Sequence, residues 1–165
     1  MNLLESLNLV YLPLGFKCGQ IKEEAESQDY GASSLEINNC RVQFRTGKIT
    51  PTKVGLFTTL WKRIAKGPIQ PFDEQDPIDL FVISVRKGLQ WGQFVFPKKV
   101  LCEKGIVSSQ GKEGKRAMRI YPPWGLAPNP QAKKTQSWQS AYFFEIHPTR
   151  ADSESIRKLF SDTNL

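Results

Sequence analysis

The sequence has one histidine, His147, and three cysteines, Cys18, Cys40 and Cys102, none close to another. A Ser-His-Asp arrangement or a histidine-rich metal site would therefore rest on one residue in "EIHPTR", beside a proline. The scattered cysteines argue against a disulfide framework and lack the paired spacing of a zinc ribbon, so free thiols in a reducing cytosol are expected. No stretch approaches the roughly 20 apolar residues that cross a bilayer. The opening "MNLLESLNLVYLPLGF" has no basic segment and carries Glu5, so a cytoplasmic protein without membrane contact is expected. Neither G-x-G-x-x-G nor G-x-x-x-x-G-K occurs, which removes the nucleotide-binding fingerprints and disfavours a Rossmann layout.

Acid is missing where base is plentiful. Between Ile37 and Phe72 there is no Asp or Glu, while Arg41, Arg45, Lys48, Lys53, Lys62, Arg63 and Lys66 all fall there. The whole chain of 165 residues carries a net charge of +7, which favours an anionic partner: nucleic acid or another phosphorylated ligand. A second basic group is Lys112, Lys115, Arg116 and Arg119. A third is Lys133-Lys134, followed by Thr135, Gln136 and Trp138. Each mixes cations with hydroxyls or amides and has an aromatic nearby, the equipment for neutralising phosphate and stacking on a base.

The length suits one domain with a real core. Leu3, Leu4, Leu7 and Val10 fall at helical spacing after Asn2 as cap, and Pro13 and Gly15 end the helix. Residues 20–29 are polar and acidic, a short exposed helix or a loop. "SLEINNCRVQF" predicts a hairpin turning at Asn38-Asn39. In "KVGLFTTLWKRI" the spacing of Val54, Phe57, Trp61 and Ile64 predicts a helix, capped by Thr50 or Thr52. "IDLFVISV" is a continuous apolar run and predicts a strand buried on both faces, with "QFVFP" returning as its partner. A strand in "AMRIYP", an irregular "PPWGLAPNPQ", a helix or strand in "AKKTQSWQSAYFFEI" and a terminal helix near 152–161 complete the chain. Strands near 33–45, 79–86, 92–97 and 117–122 imply an α+β domain with a mixed or mostly antiparallel sheet and flanking helices.

Carboxylates offer one catalytic option. A metal-dependent phosphodiesterase needs two or three acids on Mg²⁺ and a lysine near the phosphate. Asp79 opens a buried strand and Lys98 ends the next, with Glu23, Glu24 or Glu36 as further ligands and Lys48 as an alternative lysine. A third option is a protein-interaction module that uses the Trp- and Pro-rich segment 121–138.

Four strings, "FRTGKITPTKVGLFTTLWKR", "GQFVFPKKVL", "GKRAMRIYPPW" and "KKTQSWQSAYFF", together resemble the MepB family of small bacterial proteins. The resemblance spans about residues 30–144 of a single domain covering 1–165. It implies a gene neighbourhood shared with a multidrug efflux pump and its repressor, and a fold similar to the PD-(D/E)XK phosphodiesterases. The sequence departs from the catalytic pattern of that superfamily, since no Asp…(Asp/Glu)-x-Lys falls on adjacent strands; no cofactor is expected unless Mg²⁺ serves such a reaction at Asp79. The family strings coincide with the three basic groups. That coincidence points to one anion site built from Arg45, Lys48, Thr50, Thr52, Lys53, Lys115, Arg116, Arg119, Thr135, Gln136 and Trp138.

Overall fold

A computed structural model describes residues 2–147 and 152–161. Helix α1 (Leu3–Ser6) runs on through a wider turn at Leu7–Tyr11. Asn2 caps it in a capping box with Glu5, two orphan donors satisfied reciprocally. The acidic segment after it is mostly loop, one of its two expected forms, with a two-residue edge strand, β1 (Lys22–Glu23), and a single 3-10 turn at Gln28–Tyr30.

Strands β2 (Ser33–Ile37) and β3 (Cys40–Thr46) form the expected hairpin. Asn38 and Asn39 both take positive φ, 49° and 65°, the left-handed pair that a tight hairpin turn requires and Asn tolerates. After β4 (Lys48–Ile49) come β5 (Leu56–Thr59), β6 (Trp61–Arg63) and β7 (Ile69–Pro71). The helix expected from Val54 to Ile64 is therefore two strands. Val54 and Ile64, half of its supposed apolar stripe, are 48% and 63% exposed, whereas Leu56, Thr58 and Leu60 alternate inward. Period two wins because Gly55, at φ +86°, breaks any helix at its start.

Strands β8 (Leu80–Lys87) and β9 (Gln90–Pro97) form a long antiparallel hairpin. Helix α2 (Lys98–Glu103), strand β10 (Ala117–Ile120), helix α3 (Pro130–Ser140), strand β11 (Phe143–Glu145) and helix α4 (Ser153–Ser161) follow. The main sheet has the order β1-β2-β3-β8-β9-β11, with β3 and β8 parallel and every other pair antiparallel. A second sheet has the order β10-β5-β4. The domain is thus α+β, with a mixed, mostly antiparallel sheet.

Both faces of the main sheet are covered, which explains the unbroken apolar run of β8. Leu80, Val82, Phe44 and Val95 face one core with Leu7, Tyr11, Ile156 and Phe160 from α1 and α4. Phe81, Ile83, Phe94 and Phe96 face the other core, closed by Leu56, Met118, Ile120 and Leu101. The smaller sheet and α3 thus stand on the second face and carry the loops between them outward. Among the described residues no helix is long and apolar enough to cross a membrane.

Candidate functional site

An open groove of about 700 Å³ lies where the loop before β5, the segment leading into β10 and the start of α3 meet. Among the described residues Lys53, Lys104, Lys115 and Arg119 line it, and no carboxylate does. Thr52, Thr135, Tyr121 and Trp138 supply hydroxyls and rings. Four like charges around one concave surface, with no acid to answer them, create a field that draws an anion.

Local structure fixes each wall. The Arg119 guanidinium donates to the Thr50 hydroxyl at 2.7 Å and reaches the Gly55 carbonyl at 3.4 Å, so β10 holds the loop that carries Thr52 and Lys53. Its charge also stands 5.3 Å from the centre of the Phe57 ring. Helix α3 begins at the groove, with Pro128, Asn129, Gln131 and Ala132 in its lining. Asn129 caps the helix by accepting from the Ala132 N–H, and Pro130 at the first position has no donor to leave unsatisfied. The positive end of the helix dipole therefore adds to the field of the four cations.

Gln139, fully buried, sets the height of this helix. Its side chain accepts from the Tyr121 N–H and donates to the Arg119 carbonyl, both at 2.9 Å. The Trp138 indole packs against Phe96 with centroids 5.4 Å apart, and the Lys104 ammonium lies 5.5 Å from its ring centre.

Several residues singled out from the sequence lie elsewhere. Arg45 is buried at 0% exposure and bonds the Glu24 carboxylate at 2.9 Å, the Phe44 carbonyl at 2.8 Å and Gln43 at 3.3 Å. It is a structural charge, not a phosphate contact. Burial pulls its pKa below the ordinary arginine value, with Glu24 opposing, yet arginine stays protonated in proteins. Lys48 points to the Tyr30 ring, 5.0 Å from its centre, outside the groove. Arg116 pairs with Glu113 at 2.7 Å, and its neighbour Lys115 alone enters the groove. Gln136 donates to the Pro122 and Gly125 carbonyls, both at 2.8 Å, and so braces the 122–125 loop. Thr50 and Thr52 do not cap a helix. The helix start at this site belongs to α3.

The carboxylate candidates do not converge. Both oxygens of Asp79 accept from the Arg41 guanidinium, at 2.9 and 2.8 Å, and one also accepts the Arg41 backbone N–H at 2.7 Å. Those hydrogen bonds hold Asp79 below the usual carboxylate range. Glu24 is spent on Arg45, and Glu36 stands opposite Arg41 in the β2–β3 register. Lys98 donates to the Glu74 and Asp76 carbonyls. Among the described residues no three His, Cys, Asp or Glu side chains come together as a metal site. Asp79 and Glu24 are each engaged by an arginine, so no metal-dependent step is derived from these carboxylates.

Among the groove residues that escaped the sequence reading are Lys104 and Gln139. Lys104 lies outside every basic group, and Gln139 is an uncharged residue on a helix. Only the fold brings either to the site.

The MepB-like family model matches residues 24–145. A crystal structure of MepB is 36% identical over 78% of this chain and 86% of that one, with a TM-score of 0.75. The structure of a bacterial homing endonuclease aligns at 12% identity over 81% of this chain and 84% of that one, with a TM-score of 0.46. No curated protein matches the sequence.

Proposed function

The chain belongs to the MepB-like family, and from that premise we propose that it binds the phosphates of a nucleic acid in the groove between β5, β10 and α3. One observation carries the reading: Lys53, Lys104, Lys115 and Arg119, from distant parts of the chain, line one surface without an opposing acid. The start of α3 adds backbone polarity of the same sign. A ligand with several phosphates uses all of these at once, and a neutral one uses none. The thiols of Cys18 and Cys102, in no disulfide, fit a reducing cytoplasm, which we propose as the protein's location.

Salt dependence tests the proposal. Fluorescence anisotropy with a labelled oligonucleotide should give a log–log slope of about −3 if all four cations neutralise phosphates of a single strand. Binding that stays flat from low to high salt, or no binding at all, contradicts it.

A further inference from the structure

The groove is continuous with a second, smaller slot of different character. Thr52, Lys53, Val54 and Tyr121 line both. The slot measures about 390 Å³ and is walled chiefly by Ile49, Val54, Tyr121, Trp124 and Leu126. Among the described residues its charged lining is Lys53 and Lys87.

These apolar walls are poorly covered. Ile49 is 64% exposed and Leu126 82%. Exposed apolar side chains gathered in a concavity and rimmed by cations mark a binding surface better than isolated ones do.

The slot is also held open by specific contacts. A Cβ on Gly55 would lie 2.7 Å from the Tyr121 ring, so glycine lets that ring come close against the loop. Trp124 packs edge-on to Phe143 with centroids 5.0 Å apart. The Gln136 amide ties down the backbone on either side of Trp124.

A ligand made of phosphate alone has no use for such walls. A nucleotide brings a flat ring beside its phosphate, and Lys53 stands where slot and groove meet. Building on the phosphate-binding reading above, we infer that the slot receives an unpaired base of a single-stranded nucleic acid whose backbone follows the basic groove. A duplex keeps its ring faces inside the stack and cannot fill the slot.

The test compares oligothymidine of about 12 nucleotides, a typical single-strand site, with an abasic strand of equal charge and with duplex. Oligothymidine should bind about tenfold more tightly than the abasic strand, a loss of the size expected when a stacked base is removed. The double variant Ile49→Ser/Leu126→Ser should abolish that difference while leaving abasic binding unchanged. Both side chains are largely exposed, so the fold tolerates the change. Oligouridine and its abasic counterpart, run in parallel, distinguish RNA from DNA as the source of the base. A base-dependent gain on either strand supports the slot.

Equal binding of base-bearing and abasic strands on both backbones overturns the slot and leaves the groove standing. Tighter binding of duplex than of single strand also overturns it. Failure of every strand to bind removes groove and slot together.

Discussion

The Arg119 guanidinium donates to the Thr50 hydroxyl at 2.7 Å, joining positions 69 residues apart. This bond fixes the loop bearing Lys53 against β10, so one arginine both lines the groove and shapes it. Arg119→Ala should cost about 1–2 kcal/mol of stability, the loss of a part-buried charged hydrogen bond. It should also speed amide exchange in residues 50–55. Arg119→Lys keeps the charge but loses the fork geometry, so exchange should remain fast while part of the binding returns. Hydrogen exchange and denaturant melts on the two variants check both statements.

The pair of buried Arg45 and part-exposed Glu24 yields a different expectation. Glu24→Gln leaves the buried Arg45 guanidinium without its part-exposed counter-charge, and should cost about 2 kcal/mol in urea unfolding. Oligonucleotide affinity of the folded protein should not change, because neither residue lines the groove. A loss of affinity with unchanged stability would return Arg45 to the site.

Asp79 sets a pH dependence. Arg41 lowers its folded pKa, so its contribution is fully present above the unfolded value of about 3.9. That contribution falls away as pH drops through the lower, folded value. Asp79→Asn should therefore flatten the acid limb of the stability profile and lower stability only modestly near neutral pH, since the pair is solvent-screened. Denaturation midpoints measured from pH 2 to pH 7 in both proteins show whether it does.

Where a local rule governed, the sequence was readable. The Asn38-Asn39 turn followed from side chains that tolerate positive φ, and β8 followed from a run apolar at every position. The β5–β6 region misled because Val54, Phe57, Trp61 and Ile64 fall at helical intervals by accident of two exposed residues. Arg45 misled for a related reason. Its strand alternates Val42 and Phe44 toward one core, which suggests that Arg45 faces water. A second core covers that other face, and single-strand periodicity carries no information about what lies above it. The groove was legible in part: Thr52, Lys53, Lys115, Arg119, Thr135 and Trp138 came from composition and family strings, and the structure brings them together. Lys104 had no local signal, because its place beside Trp138 depends on the packing of α3.

That difference supplies the most direct test. Lys104 lies in the groove outside any basic cluster of the sequence, whereas Lys48 lies inside the densest cluster but outside the groove. Both are exposed, so Lys104→Glu and Lys48→Glu should each leave stability within about 0.5 kcal/mol. Binding of a single-stranded oligonucleotide, followed by anisotropy across a salt series, should weaken about tenfold for Lys104→Glu, with the slope reduced by about 0.7. Lys48→Glu should bind nearly as the wild type does. Equal losses in the two variants, or a greater loss for Lys48→Glu, would contradict the groove as the binding surface.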